Sequence, residues 1–508
     1  MTTTFRYKFY SLNKTMPSWL TNGDQNFFYH NVERAMVFYP QKGGRSIDTA
    51  MDDFAFTNTV AMTSVMNMWS NYLDIAFSTT VGTKSIEFGT WKPYYPAAGS
   101  ATTFIENGNT GNYAVLLNLN TNANFNDFNN TAAIGNWGGW SFMHEFIHIF
   151  TGATDIGESN DLRQTILYYP TIVGGAIDPN VKIPLTPGMS DIFTLQGDYG
   201  VSHAQDGDTV YKFTQLGTDV TTATGSITLG NAATINNNPY NHVMTLWDRP
   251  STNTDSKGGI DTIDASGVDT NVYINLNGGH FSAIGTNVNT PLADGVNGNT
   301  DYNVGIAIDA EIENAKGGAV DDYIRGNDLA NVLEGNGGND TLQGGVGNDT
   351  LDGGSGNDTY LLEGLFTMAT IKDNDGQGSI TLDSHAIFGA SKQILQAIYH
   401  DEGPGKKTYI KLSDGGLLVA GAGGEQNIYI QQWNSNNLGI SLSGEVAGAP
   451  EATPLSTFVG DEKTIISHFK TSKCLPCSPI SMRVAEHPLF NLNTQKPAAN
   501  DNNWRLVA

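Results

Sequence analysis

Residues 317–361 read GGAVDDYIR, GNDLANVLE, GNGGNDTLQ, GGVGNDTLD and GGSGNDTYL, five consecutive nonapeptides in register. The pattern is G-G-x-G-x-D-x-U-x, where U is a large apolar residue, and each part has a physical job. Glycines permit tight turns whose φ values are closed to other residues, and they leave backbone carbonyls open for coordination. The sixth position supplies a hard carboxylate oxygen, from Asp322, Asp340, Asp349 and Asp358, with Asn331 in the second repeat. Carboxylates with carbonyls suit calcium better than zinc. The eighth position, Ile324, Leu333, Leu342, Leu351 and Tyr360, places one apolar side chain per short strand into a narrow core. Stacked turns would then hold each ion between neighbours. Val320 stands where the first repeat should have a glycine. A flexible Gly/Asn/Asp linker would not keep an apolar residue at every eighth position, so the repeat predicts an all-β parallel roll.

Outward from the repeat the character of the chain changes in both directions. From about residue 217, short β-type runs alternate with Gly, Asn, Asp and Thr. Before about residue 200 the patterning is mixed. Met62, Val65, Met66, Trp69 and Leu73 fall at helical spacing, and strand-like runs follow at 75–77, 86–88 and 113–119. A further helix is expected at 190–196. Together these predict an α+β region with a mixed sheet and at least two helices. After the repeat come β-like runs at 407–412, 417–420 and 427–433. Beyond residue 448 lies a tail with several prolines and the pair Cys474 and Cys477, expected to be peripheral or poorly ordered.

At 508 residues the chain has room for several domains. A formal net charge of −25 argues against nucleic acid or an anionic membrane as partner, while clustered aspartates invite cations. No apolar run approaches the ~18 residues of a transmembrane segment. The first residues lack the charged and apolar regions of a cleavable Sec signal. Two cysteines cannot organise a fold of this size, and their CxxC spacing has no redox-type context around it.

Upstream, His144-Glu145-Phe146-Ile147-His148 forms H-E-x-x-H in a chain with 10 histidines. On a helix the two imidazoles lie one turn apart on one face, where they can share a zinc ion with Glu145 beside them as general base. Trp140, Met143, Ile147 and Phe150 recur at helical spacing and support that helix. Two chance histidines on a buried helix are the bland alternative.

With both motifs in hand, the chain resembles the serralysin family, secreted zinc metallopeptidases of the metzincin clan with a C-terminal calcium-binding β-roll. The resemblance covers roughly residues 50–365. It includes 134–148 around the helix, Thr186-Pro187-Gly188-Met189-Ser190-Asp191-Ile192 with Tyr199-Gly200, and Trp247-Asp248, 261–267 and 274–276 before the repeat. It implies a metzincin-like peptidase domain at 1–205, the roll at 206–365, an accessory β region at 366–447 and a tail, secretion-related or disordered, at 448–508. One catalytic Zn²⁺ would be held by His144, His148 and a third ligand. The family motif continues x-x-G-x-x-H, whereas here Thr151 and Thr154 occupy those places and Gly152 and Asp155 lie one residue later. A one-residue insertion would make Asp155 the third ligand, with Thr154 the alternative. Leu167 stands at the family's methionine turn. Tyr169 matches its tyrosine that assists the oxyanion, with Tyr168 the neighbouring choice. Several structural Ca²⁺ ions would be bound by Asp322, Asp340, Asp349 and Asp358, and by Asp261 and Asp264 before the roll. A strand at 86–90 would pair with an extended peptide.

The implied activity is zinc-dependent endoproteolysis of protein or peptide substrates by a secreted, extracellular monomer. Export would use a type I ABC transporter, without a cleaved Sec signal. The shifted motif and Leu167 keep a second reading open, a catalytically impaired protease-like binding or effector protein. A repeat-bearing lipase is disfavoured by the lack of a G-x-S-x-G elbow.

Overall fold

The computed structural model describes residues 2–9, 59–82, 84–91, 103–106, 112–118, 137–151, 157–159, 162–170, 172–173, 176–177, 181–214, 217–222, 225–231, 242–250, 258–285, 302–395, 397–401, 407–421, 426–434 and 437–443. The chain separates into two compact units, Met1–Ile312 and Glu313–Ala508. The Cys474/Cys477 pair and the tail from 448 lie outside the described residues.

In the first unit, strands β1 (Thr3–Phe9), β2 (Ile75–Ser78), β3 (Lys84–Trp91), β4 (Thr103–Glu106) and β5 (Asn112–Asn118) form a sheet in the order β2-β1-β3-β5-β4. All neighbours are parallel except β4, which runs antiparallel to β5. Helices α1 (Thr59–Trp69), α2 (Trp137–Thr151) and α3 (Met189–Tyr199) accompany it. The helix expected at 190–196 is therefore present and slightly longer. An aromatic cluster joins sheet to helices: Phe5 meets Phe77 at 5.8 Å and Phe150 at 5.6 Å between centroids, and Phe150 meets Trp69 at 5.2 Å. Phe77 packs edge-on to Phe146 at 5.8 Å.

These contacts explain why α2 is apolar nearly all round. The expected stripe of Trp140, Met143, Ile147 and Phe150 is buried, and so are Phe142 and Phe146. A helix enclosed on more than one side buries more than one stripe. The strand order corrects one expectation. β3, which contains residues 86–90, is paired on both sides by β1 and β5 and has no edge left for a peptide. The described sheet ends instead at β2 and β4, and α2 packs against β4 and, through Phe146 and Phe77, against β2.

The second unit begins as the repeat predicts. Asn314–Lys316, Val332–Glu334, Thr350–Asp352 and Met368–Lys372 form one parallel set. Tyr323–Arg325, Thr341–Gln343, Asp358–Leu362 and Gly378–Leu382 form another. Partners within the repeat are two nonapeptides apart, as in Val332↔Thr350 and Tyr323↔Thr341. Successive nonapeptides thus feed opposite sheets of a flattened parallel coil, which is a β-roll. Ile324, Leu333, Leu342, Leu351 and Tyr360 are fully buried between the sheets. The later β-like runs extend the first set. Asn427–Ile430 pairs parallel with Met368–Lys372, and Leu417–Ala420, Thr408–Lys411 and Ile398–His400 continue as an antiparallel meander. Pairing of this kind gives the last roll strand a neighbour in place of an open edge.

Candidate metal centres

His144 is buried on α2, with its ring centroid 5.2 Å from that of Trp140. Its Nδ1 lies 2.6 Å from the carbonyl oxygen of Ile166. A carbonyl only accepts, so Nδ1 carries the hydrogen and the basic lone pair of the neutral ring is on Nε2. The turn that offers this carbonyl is fixed by the start of α3. Met189 and Ser190 donate their N–H groups to the carbonyls of Arg163 (3.3 Å) and Gln164 (2.9 Å), which satisfies donors that a helix start leaves open. The approach is so close that a Cβ on Gly188 would run into the Gln164 carbonyl. Buried Asp191 completes the lock by accepting from Thr165 Oγ1 at 2.5 Å and from the Ile166 and Gly188 N–H groups at 2.9 Å each. Burial pushes its carboxyl up to about 6, against the opposing pull of these donors. Tyr199, at the far end of α3, donates to the Phe150 carbonyl at 3.2 Å. The unit thus holds α2 at both the His144 carbonyl contact and its C-terminal turn.

Leu167, at the methionine-turn position, is buried in this same segment, and its N–H donates to Thr165 Oγ1 at 3.1 Å. Glu145 and His148 belong to α2 by backbone, but their side chains lie outside the described residues, as does the whole of Asp155. Tyr169 is in the strand Tyr168–Pro170, with its side chain likewise outside. Among the described residues no three His, Cys, Asp or Glu side chains converge as metal ligands. Asp191 is the site residue that sequence reasoning passed over, although it lies within the quoted segment 186–192.

The roll presents a second kind of centre. Asp322, Asp340, Asp349 and Asp358 are all buried at its turns. On one edge three of them form a ladder: Asp322 N–H donates to Asp340 Oδ1 at 2.8 Å, and Asp340 N–H to Asp358 Oδ1 at 2.9 Å. The second oxygens, Oδ2 of Asp340 and Asp358, are buried without a hydrogen-bond partner. Each occupies space that only a glycine leaves open, since a Cβ on Gly335 or Gly353 would run into it. Burial pushes Asp340 and Asp349 up to about 7 and Asp358 up to about 6, and neighbouring aspartates add to the rise for Asp340 and Asp358. Buried carboxylate oxygens with no donor call for a cation, and hard oxygens among backbone carbonyls fit calcium. Ahead of the roll, Asp261 is buried, accepts from Thr209 N–H at 2.7 Å and lies beside Asp248, whose carboxyl burial raises to about 7. Asp264 accepts from Ser266 N–H at 2.9 Å and faces Lys212 at 4.0 Å. Those two residues have separate surroundings.

Comparison with known proteins finds a repeat family and a set of metalloprotease relatives. Residues 325–360 match the RTX calcium-binding nonapeptide repeat in four copies. The metalloprotease AprA of Pseudomonas entomophila is 31% identical over 225 residues, 40% of this chain and 40% of that protein. Serralysin of Proteus mirabilis is 29% identical over 296 residues, 52% of this chain and 53% of its own. Serralysin B of Dickeya chrysanthemi is 33% identical over 206 residues, covering 37% of this chain and 36% of that one. The chain is serralysin-like. Its matches span about half or less of the length of these relatives.

For a serralysin-like chain the His144 geometry fits a zinc ligand. Metal-binding histidines generally donate their second ring N–H to a carbonyl or carboxylate, which sets tautomer and ring orientation. Asp191 holds the turn of that carbonyl in place by accepting from Thr165 and from the Ile166 N–H. Asp191→Ala would leave the Ile166 and Gly188 N–H groups without their acceptor, at ~1–3 kcal/mol each. The expected result is a lower urea midpoint and zinc retention weakened ~10–100-fold in competition with a chromophoric chelator. Asp191→Asn, which keeps an acceptor oxygen, should lose less of both. Wild-type zinc retention in Asp191→Ala would show that the turn does not support His144.

Proposed function

We propose that this serralysin-like chain is a secreted zinc endopeptidase acting on proteins or peptides and stabilised by several calcium ions. The observation that carries the reading is His144, placed on α2 within H-E-x-x-H and bound through Nδ1 to the Ile166 carbonyl. His144, His148 and Asp155 would hold the ion. When bound, zinc supplies Lewis acidity, lowering the pKa of water towards ~7 and polarising the scissile carbonyl. Glu145 accepts the proton of the attacking water and returns it to the leaving amine. Tyr169 donates to the developing oxyanion. An extended substrate pairs with β4, an edge of the described sheet that packs against α2, since β3 is enclosed.

The roll supports a secreted setting. Extracellular calcium modules bind at ~10⁻⁴ to 10⁻³ M, far above cytosolic levels. In this reading the chain leaves through a type I ABC transporter, and its aspartates repel one another until external calcium arrives. It works as a monomer, and no described helix is long and apolar enough to cross a membrane.

Casein cleavage in calcium, with bound zinc quantified, tests the reading. Cleavage should disappear on treatment with a zinc chelator and return when zinc is restored at constant calcium. Zinc-loaded protein that leaves casein intact would favour the impaired binding protein instead, for which the shift to Thr154/Asp155 and Leu167 is the sequence argument.

A further inference from the structure

The two edges of the roll differ chemically. One edge carries Asp322, Asp340 and Asp358 at successive turns; the other carries Glu313, Asn331 and Asp349 at the corresponding positions. Asn331 is as buried as the aspartates, and both ends of its amide are hydrogen-bonded. Its Oδ1 accepts from Asn327 N–H at 2.8 Å, which assigns the orientation of the amide. Its Nδ2 therefore points the other way and donates to the Glu313 carbonyl at 2.8 Å and to Asn327 Oδ1 at 2.9 Å. Glu313 belongs to the preceding turn on that edge, eighteen residues back. The amide thus ties its own turn, through Asn327 Oδ1, to the preceding one, through the Glu313 carbonyl, the connection a cation would make elsewhere. Asn331 N–H continues the ladder by donating to Asp349 Oδ1 at 2.9 Å.

The contrast with Asp340 and Asp358 is direct. Their Oδ2 atoms are buried and lack a donor, whereas both ends of the Asn331 amide are bonded. A carboxylate needs an ion or a proton to sit there, and a carboxamide carries its own donors. A neutral amide oxygen already committed to a backbone N–H, with an NH₂ group facing the neighbouring carbonyl, is a poor place for a divalent cation.

We propose that the Asn331 turn is a calcium-independent rung of the roll, an amide standing in for an ion. It gives the coil one ordered inter-turn connection in calcium-poor medium, from which the aspartate turns order as calcium binds. The inference rests on the reading that the aspartate turns bind calcium, and the experiment separates the two. Hydrogen–deuterium exchange of the full wild-type chain in a calcium chelator should leave amides of 326–334 protected, while those of 335–343 and 353–361 exchange at least tenfold faster. Equal exchange of all three segments in chelator would overturn the rung. Equilibrium dialysis with calcium provides the second measurement. Asn331→Asp should bind about one ion more per chain than the wild type, and its 326–334 segment should lose its protection in chelator. An unchanged stoichiometry in folded Asn331→Asp would overturn the proposal. Should that variant not fold, Asn331→Ala decides: it should lose the 326–334 protection in chelator with no change in calcium stoichiometry, and retained protection counts against the rung. A wild type that binds no calcium at all would sink the underlying reading of the aspartate turns, a result distinct from any of these.

Discussion

Glu145→Gln is expected to lower kcat/KM for a peptide substrate by ~10²–10⁴, the range usually lost with a positioned general base. The position is one step from His144 on α2, a helix held by the Ile166 carbonyl, the aromatic cluster and the Tyr199 bond to Phe150. Gln preserves the shape and hydrogen-bonding capacity of Glu but cannot take up a proton at neutral pH. Bound zinc and the urea midpoint should therefore match the wild type, which distinguishes a chemical role from a structural one. Should Glu145→Gln cleave casein as fast as the wild type with the same zinc content, the assigned base is wrong. A loss of zinc together with activity would instead place Glu145 in the binding of the ion.

Removing calcium should have the largest effect on stability, and that effect should depend on pH with a definite sign. Without an ion, Asp340, Asp349 and Asp358 are buried carboxylates, raised by burial to about 7, 7 and 6. Uncompensated buried charges cost several kcal/mol each, comparable in sum with the stability of a whole domain. Each folded value lies above the ordinary carboxylate value, so the folded roll binds protons more tightly than the unfolded chain. Its calcium-free stability is then greatest below about pH 4 for these groups and falls as pH rises through about 6 to 7. In chelator, residues 335–361 should be more protected from hydrogen exchange, after correction for intrinsic rates, at pH 5 than at pH 8. In saturating calcium the dependence should reverse, because the ion binds the deprotonated carboxylates. Better protection at pH 8 in chelator would contradict the assignment of these groups as the source of the calcium requirement.

Local chemistry made the roll legible before any fold was known. In 317–361 the spacing of Gly, Asp and large apolar residues specifies turn, ligand and core, because each nonapeptide contacts mainly its neighbours along the coil. The outcome follows residue by residue: Leu333, Leu342 and Leu351 lie inside, and Asp340 and Asp358 lie at the turns. The helix of His144 was legible for the same reason, since a 3.6-residue period is a local signal. The strand order was not. Residues 86–90 read as a strand with an apolar pattern, but nothing in them says that partners occupy both sides.

Three features were settled only by the tertiary structure. The pairing of Nδ1 of His144 with the Ile166 carbonyl joins residues 22 apart through a turn that Asp191, a further 25 along, holds in place. Asn331 looked like a lost ligand in the sequence, and its role as a bridge to Glu313 appears only when the turns stack. The 407–433 strands read as separate β runs, yet they continue the sheet begun by the roll. The sequence by itself determined which segments coil and which helix presents His144, because those depend on neighbours a few residues away. Packing decided which strands are enclosed, which carbonyl meets His144 and which neighbouring turn Asn331 reaches, because each depends on atoms that only folding brings within hydrogen-bonding distance.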